Sequence, residues 1–178
     1  MTIRKQQSHG RIGEAAVSAK CWMHGIPAYN TAGLRANFAG SDLLVDTSDP
    51  TRKLLIQVKT GYNPSADWVY MTQCSGDGEL GGRKFVADFV VFVNLDKRVG
   101  SRHEHNGELD FNHLTFYVVP REEANNLYRE ALLREHDRPL RTGGQRKLGN
   151  LAVNVLLSKM LPYRDAWSLI RDVRENYA

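Results

Sequence analysis

Only two cysteines, Cys21 and Cys74, occur in the 178 residues. That is too few for a disulfide scaffold and too few for an all-cysteine zinc centre. Such sparing use suits a reducing compartment, so a cytoplasmic location is expected. No apolar run reaches the about 18 residues a membrane-spanning helix needs. The densest stretch, residues 85–95, is broken by Asp88 and Asn94, and a membrane span is excluded. Residues 1–9 are polar and have none of the apolar centre of a secretory signal. There is no internal repeat and no low-complexity tract. The glycines at 76, 78, 81 and 82 form neither a phosphate-loop nor a dinucleotide pattern. Ser8, Ser18 and the two cysteines have no nucleophile-elbow or Cys/His context, so acyl-transfer chemistry has no support.

What is present is an ordinary globular composition. Apolar residues make up 42% and charged residues 25%, which excludes wholesale disorder. Lys+Arg number 24 against 20 Asp+Glu, a net +4 that leans mildly towards an anionic partner. At this length one domain over residues 1–178 is expected, burying roughly two thirds of the unfolded chain's surface.

The first element is helical. Apolar residues at Ile12, Ala15, Ala16, Ala19 and Met23 form the stripe of an amphipathic helix, stopped by Gly25 and Pro27. Glu14 stands well away from that stripe, on the side of Val17 and Cys21. Strands are expected over residues 42–46, 53–59, 67–72, 88–94 and 114–119, with 88–94 buried on both faces. Pro120 opens a helix with Glu122 and Glu123 in its first turn. Two further helices are expected over residues 148–161 and 163–175. The order implies a mixed α/β (α+β) fold, with a central mixed sheet flanked by helices and extra C-terminal helices.

The first two strands are joined by a segment dense in turn residues, Thr47-Ser48-Asp49-Pro50-Thr51-Arg52. If they form a hairpin centred between Asp49 and Pro50, partner numbers sum to 99. Asp46 then faces Lys53, and Asp42 faces Gln57. With period-two alternation, Leu43 and Val45 share a core face with Ile56 and Val58. The opposite face carries Asp42, Gln57 and Lys59: a carboxylate, an amide oxygen and an ammonium. Asp46 lies on that face too, but at the hairpin's outer end.

Asp42 followed by Gln57-Val58-Lys59, with fourteen residues between Asp42 and Gln57, resembles the PD-(D/E)xK nuclease superfamily. Glu14, in Gly10-Arg11-Ile12-Gly13-Glu14, matches the acidic residue that superfamily often carries ahead of its hairpin. Gly40-Ser41-Asp42-Leu43-Leu44-Val45 and Ile56-Gln57-Val58-Lys59-Thr60 resemble the branch with Gln at the acidic position, which includes a group I intron homing endonuclease and restriction-type enzymes. Ala87-Asp88-Phe89-Val90-Val91-Phe92-Val93 and Phe116-Tyr117-Val118-Val119-Pro120 look like that group's last core strands. The likeness covers residues from about 9 to 125, with a fainter echo in Tyr163-Arg164-Asp165-Ala166-Trp167. It implies a restriction-endonuclease-like core with a C-terminal helical cover over about 145–176.

The resemblance also implies a Mg²⁺-dependent endonuclease acting on DNA, with Mn²⁺ as a substitute. Asp42, Gln57 and the Val58 backbone carbonyl would hold the ion. Glu14 would assist directly or through water. Lys59 would orient or deprotonate the attacking water and offset charge on the phosphate. Two departures stand out. Ser41 occupies the position of the motif's Pro, and Gln57 brings an oxygen without a negative charge, which lowers metal affinity. Gln57 therefore keeps a rival reading in view, a nucleic-acid-binding protein that has lost hydrolysis. RNA is an alternative substrate. A homodimer would bring a second site to the opposite strand.

Other candidates are weaker. Arg138, Arg141, Arg146 and Lys147 gather without an acidic residue from 138 to 147, and Arg83 with Lys84 forms a smaller basic pair; Arg35 stands alone. All suit phosphate contacts that read no bases. His103 and His105, with His113 nearby, have a metal-ligand spacing but sit in a polar connection where solvated histidines are ordinary. No organic cofactor is implied.

Overall fold

The computed structural model describes residues 3–31, 40–62, 67–73, 84–95, 114–138 and 152–176. Helix α1 (Ile3–Met23) is followed by strands β1 (Ala28–Asn30), β2 (Leu43–Asp46), β3 (Lys53–Tyr62), β4 (Trp68–Gln73), β5 (Phe89–Leu95) and β6 (Leu114–Pro120). Helix α2 (Arg121–Asp137) comes next, then strand β7 (Ala152–Leu156), the short helix α3 (Leu157–Met160), a 3₁₀ turn (Leu161–Tyr163) and helix α4 (Ser168–Asn176).

Five strands form one mixed sheet in the order β1-β2-β3-β5-β6. Every neighbouring pair is antiparallel except β3 and β5, which run parallel. The hairpin has the expected register: Asp46 pairs with Lys53, Val45 with Leu54, Leu44 with Leu55 and Leu43 with Ile56. Leu43, Val45, Leu54, Ile56 and Val58 all enter one hydrophobic cluster, together with Val91, Val93, Phe116 and Val118, under α1 and the Trp167–Ile170 end of α4. On the other face Val90, Phe92, Tyr117 and Val119 pack with Ala124, Tyr128, Ala131 and Leu132 of α2, and with Val69, Met71, Val153 and Val155. β5 is thus buried on both faces, as its unbroken apolar run implied.

Two expectations fail here. Residues 148–161 are not one helix. The part from 152 on is β7, which pairs antiparallel with β4 in a separate two-stranded sheet, then α3. Val153 and Val155 are buried while Ala152 is exposed and Asn154 is half-covered. That is the period of a strand; the spacing of Leu148, Leu151, Val155 and Leu156 fitted a helix by coincidence. The last helix is shorter than the expected 163–175, because the 3₁₀ turn holds its first residue and Asp165 is left-handed (φ 49°).

The second failure concerns the face of α1. Of the Ile12, Ala15, Ala16, Ala19 and Met23 stripe only Ala16 is buried; Ala15, Ala19 and Met23 are exposed, and Val17 and Cys21 are fully buried beside Ala16. The cause is close approach. A Cβ on Gly13 would lie 1.8 Å from the Thr60 hydroxyl and 3.0 Å from its Cβ, so the helix rests on β3 through a position with no side chain. This roll puts Glu14, which shares the Val17–Cys21 side, beside the sheet.

Gly13→Ala is expected to lose about 1–3 kcal/mol of stability in urea unfolding, since neither helix nor strand can absorb the overlap. Gly10→Ala, where a Cβ meets nothing within 4 Å, should instead be neutral or gain up to about 1 kcal/mol from helix propensity.

Candidate active site

The site begins where the β2–β3 ladder stops. After Leu43 pairs with Ile56, Asp42 leaves the regular register and straddles Gln57. Its N–H donates to the Ile56 carbonyl (2.8 Å), and its carboxylate accepts the Val58 N–H (2.6 Å). From the other side Thr31 donates its N–H to the Asp42 carbonyl (3.0 Å), and its hydroxyl reaches the Ser41 and Asp42 carbonyls, both at 3.1 Å. Asp42 is therefore fixed at backbone and side chain. The Val58 carbonyl points along the same strand edge as its N–H, beyond the last rung of the ladder.

Gln57 and Lys59 project to the side opposite the Leu54, Ile56 and Val58 core face. The Gln57 Oε1 is buried and has no hydrogen-bond partner among the described residues. Leaving such an oxygen unmatched costs about 1–3 kcal/mol. Lys59 is largely buried as well, and burial pushes its ammonium pKa down. The Asp42 carboxylate opposes that shift and the Lys84 ammonium adds to it.

Glu14 arrives from α1. Burial first, and the facing Asp42 charge second, raise its pKa, while the Asn30 amide and Arg11 pull it down. The Asn30 Nδ2 donates to the Glu14 Oε2 at 3.5 Å. Glu14, Asp42, Gln57 and Lys59 are thus brought together. Asp46 is not part of the group: it pairs with Lys53 at 2.8 Å, at the outer end of the hairpin. Two carboxylates and an amide oxygen are hard donors, which suit Mg²⁺ better than a soft transition metal. No cluster of three His, Cys, Asp or Glu side chains that could hold a metal occurs among the described residues. Among the described residues, Gln57 is the neutral oxygen donor that the same strand adds to the Glu14–Asp42 pair.

Among the basic candidates, Lys84 lies near Lys59. Arg138 is exposed just past the far end of α2, roughly 20 Å along the helix axis from Asn125, the residue that bonds the Lys84 backbone. Arg83, Arg141, Arg146, Lys147, Arg35, the 76–82 glycines and the histidines at 103, 105 and 113 lie outside the described residues. Sequence reasoning passed over Asn30 and Thr31, which hold Glu14 and Asp42. Asn30 ends an unforeseen three-residue strand and Thr31 follows it, and neither belongs to a motif.

Because burial outweighs the Asp42 attraction at Lys59, the ammonium is a net burden on the fold. Lys59→Met is expected to raise the thermal midpoint, corresponding to about 1 kcal/mol, as often happens when a strained functional group is replaced by an apolar one of similar size. A lower midpoint in calorimetry would show that the ion pair with Asp42 outweighs desolvation.

No family model matches the chain, and no curated protein sequence matches it. Among solved structures, that of a bacterial homing endonuclease superposes with a TM-score of 0.50 at 17% identity, covering 93% of each chain. At that identity the likeness is one of fold, and it extends over nearly the whole of both chains.

Proposed function

We propose that this chain is a metal-dependent endonuclease of the PD-(D/E)xK type, hydrolysing DNA phosphodiester bonds at a site made of Glu14, Asp42, Gln57 and Lys59. The observation that carries the reading is the Gln57 oxygen, buried and without a partner among the described residues, on the strand that carries both the Val58 N–H bonded to the Asp42 carboxylate and a Lys59 ammonium that burial destabilises. A buried oxygen without a protein partner is suited to a bound cation or an ordered water. The structural neighbour's description as a homing endonuclease accords with this reading.

A bound Mg²⁺ supplies an activated water and offsets charge on the scissile phosphate. Asp42, Glu14 and the Gln57 Oε1 are the side chains that would hold it, with the Val58 carbonyl alongside. The Val58 N–H fixes one Asp42 oxygen and leaves the other to ligate. The Asn30 amide aims Glu14. Lys59, its pKa lowered, gives up its proton more readily than a solvated lysine and so serves to deprotonate the attacking water; when protonated it stabilises the phosphorane's negative charge. A homodimer would place two such sites on opposite strands of a duplex.

Incubation with supercoiled plasmid, linear duplex, single-stranded and four-way-junction DNA, beside matched RNA, tests the reading. Cleavage is expected with Mg²⁺ or Mn²⁺ and none with EDTA, and Lys59→Ala should lower the rate by at least about a hundredfold. DNA bound but intact under every metal condition would mean a binding protein and no hydrolase. Gln57→Glu adds the missing charge and should lower the Mg²⁺ concentration for half-maximal cleavage by about tenfold, because ligand charge sets affinity for hard cations. An unchanged Mg²⁺ dependence would place Gln57 outside the coordination shell.

A further inference from the structure

Residues 84–86 belong to no helix or strand, yet they are held from two sides. On one side Asn125 of α2 acts as a surrogate strand. Its Oδ1 accepts the N–H of Lys84 (2.9 Å) and of Phe85 (3.0 Å), and its Nδ2 donates to the Phe85 carbonyl (3.0 Å). Phe85 is fully buried, edge-on to Phe92 and to Tyr128 with ring centroids 5.8 and 5.9 Å away. On the other side the segment leans on the turn that leads into Asp42. Gly40 has a φ of +83°, and a Cβ there would sit 2.6 Å from the Val86 Cγ2. The backbone carrying Lys84 is thus pinned between α2 and the Gly40-Ser41-Asp42 turn, within electrostatic reach of Lys59.

The charge pattern then has a chemical reading. Two carboxylates with an orphan amide oxygen suit a divalent cation, and two ammonium groups beside them suit phosphate oxygens. A cation bound to a phosphodiester matches both halves.

We propose that Lys84 contacts a backbone phosphate of the nucleic acid in the active site, and that Asn125 is the positioning residue that sets it there. The inference rests on the nuclease reading and adds a substrate contact to that site.

The test uses the full chain and the DNA substrate it cuts best, comparing Lys84→Ala, Lys84→Arg, Asn125→Ala, the Lys84→Ala/Asn125→Ala double variant, and Lys53→Ala as a control that removes an equal charge at the hairpin's outer end. Lys84→Ala should raise KM about tenfold with kcat within about threefold, and should reduce the slope of log binding constant against log salt, measured in EDTA, by about one. Lys84→Arg should restore most of the affinity. Asn125→Ala should raise KM in the same direction, and in the Lys84→Ala background it should cost nothing further, because two residues serving one contact are not additive. Fully additive losses would make Asn125 merely structural and overturn its positioning role. If Asn125→Ala does not fold, the Lys84 variants alone decide whether Lys84 contacts phosphate. Lys84→Ala behaving as wild type, or Lys53→Ala losing as much, would overturn the proposal. A wild-type protein that neither binds nor cuts DNA would overturn the nuclease reading instead, and it shows itself before any variant is compared.

Discussion

The hydrogen bond from the Val58 N–H to the Asp42 carboxylate (2.6 Å) is the constraint on which the site depends. A regular antiparallel ladder would have continued past Leu43 with backbone-to-backbone pairing. Here a side chain takes over from the backbone, and the strand ends because of it. One backbone donor of a central strand is satisfied by a carboxylate, which meets the requirement that buried amides be paired. The same bond freezes the carboxylate's orientation. Gln57, bracketed by the two bonds that Asp42 makes, is then presented at a place where no donor among the described residues meets its oxygen.

Around that point the fold concentrates groups that do little for its own stability. Glu14 is held partly desolvated against a like charge, Lys59 carries an ammonium whose pKa burial lowers, and Gln57 is buried without a partner among the described residues. Elsewhere among the described residues the packing is regular, although Asn94 Nδ2, Asn154 Oδ1 and Trp167 Nε1 are also buried without a hydrogen-bond partner. Both faces of the sheet are covered, β5 is buried throughout, and Asp46 and Lys53 neutralise each other at the far end of the hairpin. Charged groups of both signs held partly desolvated in one patch are a pattern functional sites share, since groups poised for chemistry are seldom those that packing alone would choose.

The likeness to a homing endonuclease structure at 17% identity is one of fold. Sheet order and layering survive extensive sequence change, because many apolar residues of suitable size fill such a core. Polar groups at the end of a hairpin do not have that freedom. Their spacing along the chain is set by strand geometry and by the length of the turn.

By itself the sequence determined the hairpin and its register. Period-two alternation on both strands and a turn-rich connector admit essentially one pairing, and a slip of one residue would turn Leu43 and Val45 out of the core. The double-sided burial of β5 and the start of α2 after Pro120 were equally legible, being local properties of composition. The roll of α1 was not. Two apolar stripes compete on that helix, and the choice between them was made by the contact of Gly13 with Thr60, forty-seven positions away, which no local pattern encodes. Nor was β7 legible, since a short Val-x-Val run becomes a strand only when β4 is there to pair with it. Lys84 came next to Lys59 for the same reason: an amide on α2 and a glycine before Asp42 hold its segment in place, and only the folded chain brings those two together.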